Sequence, residues 1–403
     1  MRFVGIDVGS QAHVVSVVDE DGRILVKPTT LTEDAAGYDQ LFDVLGKPLD
    51  VLVAMEATGH YGRNLCLALD RRGFPVAVLN PLRIRRFAQE DLARAKTDFT
   101  DAVRIARFAA QKRPAATPLP SASNEELKEL VRINDRLSQD FGDRVRQLHR
   151  LVHLCFPEFR RYVRSLDSYV ATATLRQCPT AQDFVTTSPD QIARLGHSRR
   201  HVLGSNRAAQ LIEAAKLSIA RHDTPTHRAH VRYLCNDIDA LRQRIRELQS
   251  EIDRRVRQHS VAQLLTTIVG IAPLTAARII AAVDDPARFR NAAAFAAYVG
   301  AVPGTSKSGL WRPGQAPLCP LGNARLRSAL WMPTIAAARL NPWLRACYQR
   351  AIDRGKPPKV ALIAVMRKLL TAVYSVAKNK RPFVTRLPEP HRPVAPTTDE
   401  SQT

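Results

Sequence analysis

Four carboxylates in the first 101 residues stand where acids can converge. Asp7 lies at the end of a short apolar run at residues 2–8, and Glu56 directly follows a second run at 51–55. If those runs are parallel strands, both side chains reach one sheet edge, where ligands gather at the carboxyl ends of strands. Asp98 and Asp101, in the stretch KTDFTDAVRIARFAA, lie three residues apart at a helix start and project from one face. Acids clustered in this way repel one another unless a hard cation sits among them, and Mg²⁺ takes oxygen ligands in phosphate chemistry. The pattern predicts one or two Mg²⁺ ions held by Asp7, Glu56, Asp98 and Asp101. Singly, each acid reads as an ordinary strand-end or helix-cap residue; the expectation rests on their combination and order.

The elements that must position these acids follow from periodicity. The runs at 2–8 and 13–18, the second closing on the turn Asp19-Glu20-Asp21-Gly22, predict a hairpin, and 23–27 supplies a third strand. Residues 34–45 repeat at helical spacing and end on Gly46, 51–55 reads as a buried parallel strand, 62–72 as a helix and 76–79 as another strand. A hairpin followed by β-α-β-α-β implies an α/β domain with a mixed sheet flanked by helices. That is the element order of the ribonuclease H and RuvC-like fold, and fold alone establishes no function. The opening GIDVGS also suits the phosphate turn of sugar kinases and actin-like ATPases. Those proteins need a second acidic, glycine-rich phosphate loop, and nothing after residue 150 follows an expected strand with that character.

Charge narrows the partners. Sixty Lys plus Arg against thirty-eight Asp plus Glu give a formal charge of +22 over 403 residues, which favours a polyanion, nucleic acid first, through phosphate contacts and counterion release. No apolar run reaches the ~18–20 residues that span a bilayer, and the apolar start lacks a signal-peptide pattern, so a cytoplasmic, nucleoid-associated protein without a membrane partner is expected. Six cysteines scattered singly read as reduced packing residues.

Beyond the first domain the pattern turns helical. Residues 111–123 (QKRPAATPLPSAS) read as an extended linker. Leu130, Ile133, Leu137, Phe141, Val145, Leu148 and Val152 recur every three or four residues, and Leu234, Ile238, Leu241, Ile245, Leu248 and Ile252 follow a/d heptads. Two long helices are expected, either as a coiled coil between chains or as a hairpin within one. Residues 266–283 (TTIVGIAPLTAARIIAAV) resemble a helix-hairpin-helix, which contacts phosphate through backbone amides or serves simply as a tight helical turn. An irregular loop then carries Ser306, Lys307, Ser308 and Arg312, and two amphipathic helices carry Arg325, Arg327, Arg367 and Lys368, giving a basic, nucleic-acid-binding face. The resulting division is 1–112 catalytic, 113–124 linker, 125–258 helical with an insertion, 259–384 C-terminal, and 385–403 a proline-rich tail expected to be disordered.

The ordered set GIDVGS, MEATGHYG, LNPLRIRRFAQ, KTDFTDA, FAAYVGAVPGTSKSG and GNARLRSAL resembles, nearly end to end, the DEDD transposases of the IS110 insertion-sequence family, whose members include bridge-RNA-guided recombinases. The resemblance implies that Asp7, Glu56, Asp98 and Asp101 hold Mg²⁺ and that Ser308 is the nucleophile, a serine that composition could not single out. It further implies DNA as donor and target, a non-coding guide RNA, and a dimer or tetramer that performs strand exchange through a 5′-phosphoserine link at a composite site. This chain departs from the family pattern at Ser10, where many relatives carry lysine, and in the long stretch 156–226. The competing readings are a RuvC-like Mg²⁺-dependent nuclease or junction resolvase that ignores Ser308, and a non-catalytic nucleic-acid-binding protein.

Overall fold

The computed structural model describes residues 1–57, 59–90, 98–198, 201–302 and 321–384. The chain divides into two compact units, Met1–Pro120 and Ser121–Thr403. In the first, β1 (Arg2–Val8), β2 (Ala12–Val18) and β3 (Ile24–Thr32) are followed by α1 (Ala35–Leu45), β4 (Val51–Glu56), α2 (Arg63–Arg71), β5 (Val76–Leu79), α3 (Pro81–Glu90) and α4 (Asp98–Lys112). The sheet order is β3-β2-β1-β4-β5. β1 pairs antiparallel with β2 and parallel with β4, and β4 pairs parallel with β5. The expected mixed sheet flanked by helices is therefore present.

β3 runs five residues past the expected 23–27, through Pro28-Thr29-Thr30-Leu31-Thr32. This largely polar, proline-containing extension gives little strand signal, but an edge strand tolerates Pro, and pairing with β2 extends the ladder. Residues 113–120 end the unit, and Thr117 is tied to the sheet edge: its amide donates to the Val76 carbonyl at 2.7 Å, and its hydroxyl accepts from the Val78 amide at 3.0 Å.

The two sheet faces bury separate cores. Val4, Ile6, Val8, Val15, Val17, Val53 and Met55 pack against Leu41 and Leu45 of α1 and Leu65 and Leu69 of α2. Phe3, Val18, Leu52 and Ala54 on the opposite face pack against Ile105, Ala106 and Ala109 of α4. This division is what period-two alternation dictates.

In the second unit α5 (Ala122–Cys155) leads into α6 (Phe159–Tyr162), α7 (Tyr169–Gln177), α8 (Ala181–Thr186), α9 (Pro189–Ala193), the ribbon β6 (Gly196–Ser198) and β7 (His201–Val202), α10 (Ser205–Lys216) and α11 (Pro225–Gln258). Then come α12 (Ser260–Leu265), α13 (Pro273–Val283), α14 (Ala292–Val299), α15 (Ala324–Ala329), α16 (Trp331–Leu340), α17 (Pro342–Asp353) and α18 (Pro358–Asn379). The two long helices, each about 50 Å at 1.5 Å per residue, pair antiparallel within the chain. Arg255 bonds Glu126, Gln249 bonds Asn134 and Arg144 bonds Asp237, so the pair closes on itself as the hairpin alternative requires. One end of the pair buries Val231, Leu234 and Ile238 against α6–α10. The other end buries Ile252 and Val256 against α12–α18.

α18 is 22 residues long and, by length and composition, apolar enough to cross a membrane, although Arg367 and Lys368 break its apolar run at mid-helix. In this fold Val365, Met366, Leu369, Leu370, Val373 and Val376 of α18 line the core shared with α12–α17.

Candidate active site

Asp7 and Glu56 come together at the carboxyl edge of the sheet. The parallel register runs Phe3↔Leu52, Gly5↔Ala54 and Ile6↔Met55, and one further step sets Asp7 beside Glu56. Alternation puts both on the face of Phe3, Gly5, Leu52 and Ala54, which α4 covers. Both are partly buried. Gly5 is required there: a Cβ at this position would collide with the Ala102 carbonyl and the Ala106 amide and lie 3.0 Å from Ala106 Cα. α4 crosses β1 with backbone against backbone.

The direction of α4 places its N-terminus. Ala102 and Ala106 lie over Gly5, whereas Arg113, just past the helix, stands over the Phe3 ring at 5.9 Å. The helix thus runs back along β1, and its first residue, Asp98, is at the Asp7 end. Asp98 is described only at its backbone. Asp101, one turn on, is engaged: its Oδ1 accepts from Arg104 Nη1 at 2.7 Å, with both side chains largely buried. Among the described residues no three His, Cys, Asp or Glu side chains form a ready metal cluster.

A second polar cluster on the other face escaped the sequence reading. His13, 2% exposed, shares a hydrogen bond with Glu33. Glu33 also accepts from the Tyr38 hydroxyl at 2.8 Å and from Asn64 Nδ2 at 3.4 Å. Burial raises the Glu33 carboxyl, and the bonds from His13, Tyr38 and Asn64 outweigh it, leaving the group below the ordinary carboxylate range. The same burial and the Glu33 charge push the Tyr38 phenol far above its ordinary value. His13 pairs with Val8, next to Asp7, and Asn64 lies in the first turn of α2, after the turn that follows Glu56. Glu33 therefore ties together the chain segments that flank both carboxylates. Only the alternation of His13 with apolar neighbours in β2 could have flagged it.

In the second unit Lys307, Ser308 and Arg312 lie outside the described residues. Arg325 is exposed and bonds Asp135 at 3.1 Å, and Arg278 holds the same carboxylate at 2.7 Å. Arg327 turns inward and donates to the Val299 and Gly300 carbonyls at 3.1 and 3.5 Å, closing the end of α14. Arg367 and Lys368 are exposed on α18. In the 266–283 segment Gly270 has φ +107°, and a Cβ there would lie 2.6 Å from Ala337 Cβ, so this glycine lets α16 approach the turn. Burial raises the thiols of Cys66 and Cys155 to about 11 and that of Cys235 to about 12, as suits inert packing residues; Cys319 lies outside the described residues.

Comparison with known proteins points to one family for both units. A family model described as transposase, of the DEDD IS110 type, matches residues 4–157. A second, described as transposase of the IS116/IS110/IS902 family, matches residues 262–349. The mini-circle IS117 protein of Streptomyces coelicolor is 27% identical over 94% of this chain and 95% of its own length. The pilin gene-inverting protein of Moraxella bovis is 28% identical over 83% of this chain and 82% of its own. The 43.6 kDa protein of insertion element IS110, also from Streptomyces coelicolor, is 25% identical over 96% of both. The chain belongs to the IS110 family of insertion-sequence transposases.

Proposed function

We propose that this transposase cuts and rejoins DNA with a carboxylate-held metal in its first unit and the Ser308 hydroxyl in its second, guided to its sites by a non-coding RNA. The observation that carries the reading is the placement of Asp7 beside Glu56 under the N-terminal end of α4. The first unit is read as a RuvC-like domain. Its candidate donors are all carboxylate oxygens, the set that suits Mg²⁺ rather than a softer ion. Asp7, Glu56 and Asp98 would hold the ion, and Asp101 joins them only by giving up Arg104. When bound, Mg²⁺ supplies charge neutralisation at the scissile phosphate and at the leaving oxygen.

In the exchange the Ser308 oxygen forms a bond to phosphorus as the bond from phosphorus to the 3′ oxygen breaks. The serine gives up its proton and the 3′ oxygen leaves as a hydroxyl, so protons balance. The 5′-phosphoserine conserves the phosphodiester energy until the 3′-hydroxyl of another strand reverses the step. Exchange between two duplexes needs several such events, which supports a dimer or tetramer. The pilin gene-inverting relatives support rearrangement of DNA over simple hydrolysis. With a guide RNA, pairing would choose the site while the protein reads backbone and shape, contacts for which Lys307, Arg312, Arg367 and Lys368 are the candidates, with Arg325 available once it releases Asp135.

The deciding experiment incubates the protein with Mg²⁺, the element's non-coding RNA and nicked target DNA, and looks for a denaturation-resistant complex joined through a 5′ phosphate. Wild type and Ser306→Ala should form it; Ser308→Ala and Asp7→Ala should not. Clean cleavage with no covalent species would favour the metal-dependent nuclease.

A further inference from the structure

From residue 286 to residue 384 the chain carries seventeen Lys or Arg and a single acid, Asp353. The exposed cations of α16–α18 and the residues after them have no carboxylate partner among the described residues. Amid this charge lies a groove of about 750 Å³ along the outer side of α18. Thr371, Ser375 and Asn379 succeed one another at helical spacing along its floor, with Asn379 Nδ2 donating to Ser375 Oγ at 3.2 Å. Trp343 and Phe383 form an aromatic wall, their centroids 6.0 Å apart. The segment carrying Phe383 is fixed, because its amide donates to Thr267 Oγ1 at 2.8 Å. Arg381 lies in the same segment and lines the groove.

We propose that this groove binds a single-stranded segment of nucleic acid, stacking a base on the aromatic wall, meeting its edge with the hydroxyls and amide of α18, and contacting its phosphate through Arg381. Each part of the groove matches one part of a nucleotide. Aromatic side chains stack on any base, hydroxyls and amides offer both donors and acceptors, and cations draw the backbone. A duplex hides its base faces and would meet only the cations. An acidic peptide would satisfy Arg381 and leave the aromatic wall and the amide floor unused. The inference deepens the proposed function by naming a second strand contact. It relies on a nucleic-acid partner, and on neither the metal nor Ser308.

The test measures binding by the full-length protein of fluorescein-labelled dT12, rU12 and a 12-base-pair duplex, using anisotropy without Mg²⁺. Ser375→Glu sets a charge on the exposed floor, Arg381→Gln removes the groove cation, and Lys356→Gln removes an exposed cation outside the groove; thermal melting checks that each is folded. Both groove variants should lose about tenfold in single-strand affinity, with duplex affinity within about twofold of wild type and Lys356→Gln close to wild type throughout. The tighter of dT12 and rU12 identifies the strand as DNA or RNA. Equal losses in Lys356→Gln, equal losses on the duplex, or displacement of dT12 by polyglutamate at matched charge would each overturn the groove as a strand site. So would loss of single-strand binding on truncation after Val384, which would place the contact in the tail. Failure of the metal and serine chemistry would leave these affinities unchanged, so the two readings fail separately.

Discussion

Gly5 of β1 and Ala102 of α4 meet backbone to backbone, with no room for even a methyl group between them. This contact sets how closely the helix that begins at Asp98 lies over the strand that carries Asp7. Gly5→Ala must push α4 outward, since neither the Ala102 carbonyl nor the Ala106 amide can rotate aside. Overpacking of this kind costs about 1–3 kcal/mol. We expect a lower Tm together with a loss of strand transfer larger than the stability change explains at a temperature where the variant remains folded. Full activity in a folded Gly5→Ala protein would show that the spacing of α4 from β1 is unimportant for the chemistry.

Asp7→Asn, Glu56→Gln and Asp98→Asn should each abolish strand transfer while leaving DNA affinity within about twofold, because the proposed phosphate contacts are assigned to cations elsewhere. Asp101→Asn should differ. Its carboxylate is bonded to Arg104, so the change should lower Tm and leave measurable activity. Transfer by a Glu56→Gln protein at the wild-type rate would remove Glu56 from the site.

The Glu33 cluster predicts a pH dependence of stability. Its folded-state carboxyl titrates below the ordinary value of 4.5, so the stabilisation it provides is present above that value and is lost as the pH falls through the folded pKa. Glu33→Gln should therefore lower Tm at pH 7 and narrow its difference from wild type as the pH is taken below about 4. Parallel Tm curves for the two proteins from pH 7 to pH 3 would contradict this. Activity should fall in the variant at neutral pH, since His13 and Asn64 flank the strand and the turn next to Asp7 and Glu56.

Affinity for duplex DNA should fall by roughly three orders of magnitude between about 50 and 200 mM salt, as expected when half a dozen or more phosphates are neutralised. The plot of log affinity against log salt should become shallower by about one for each phosphate-contacting cation removed, as Arg367→Gln and Lys368→Gln test. Arg327→Gln should leave the slope unchanged and lower Tm, because its guanidinium is occupied with the Val299 and Gly300 carbonyls.

The sequence alone determined most of the elements of the first unit and the candidacy of its acids. Period-two apolar runs, the Asp-Gly turn and helical spacing are local signals, and they located β1, β2, β4, β5, α1 and α2 to within a residue or two. The two long helices were equally legible, because a stripe of apolar residues sustained over 34 positions has few alternatives. The same stripe could not say whether its partner lay in this chain or in another; the antiparallel register of Asn134 with Gln249 and of Arg144 with Asp237 decided that. Ser308 was singled out by family resemblance and by nothing in its local composition. Only the tertiary structure assigned work to particular side chains. It engaged Asp101 with Arg104, turned Arg327 inward, made Gly5 and Gly270 points of close approach, and joined Glu33 to His13, Tyr38 and Asn64. The physical reason is range: propensity and periodicity act over a few residues, whereas an ion pair or close backbone contact depends on which distant segments share a neighbourhood, and that is fixed by how the faces pack.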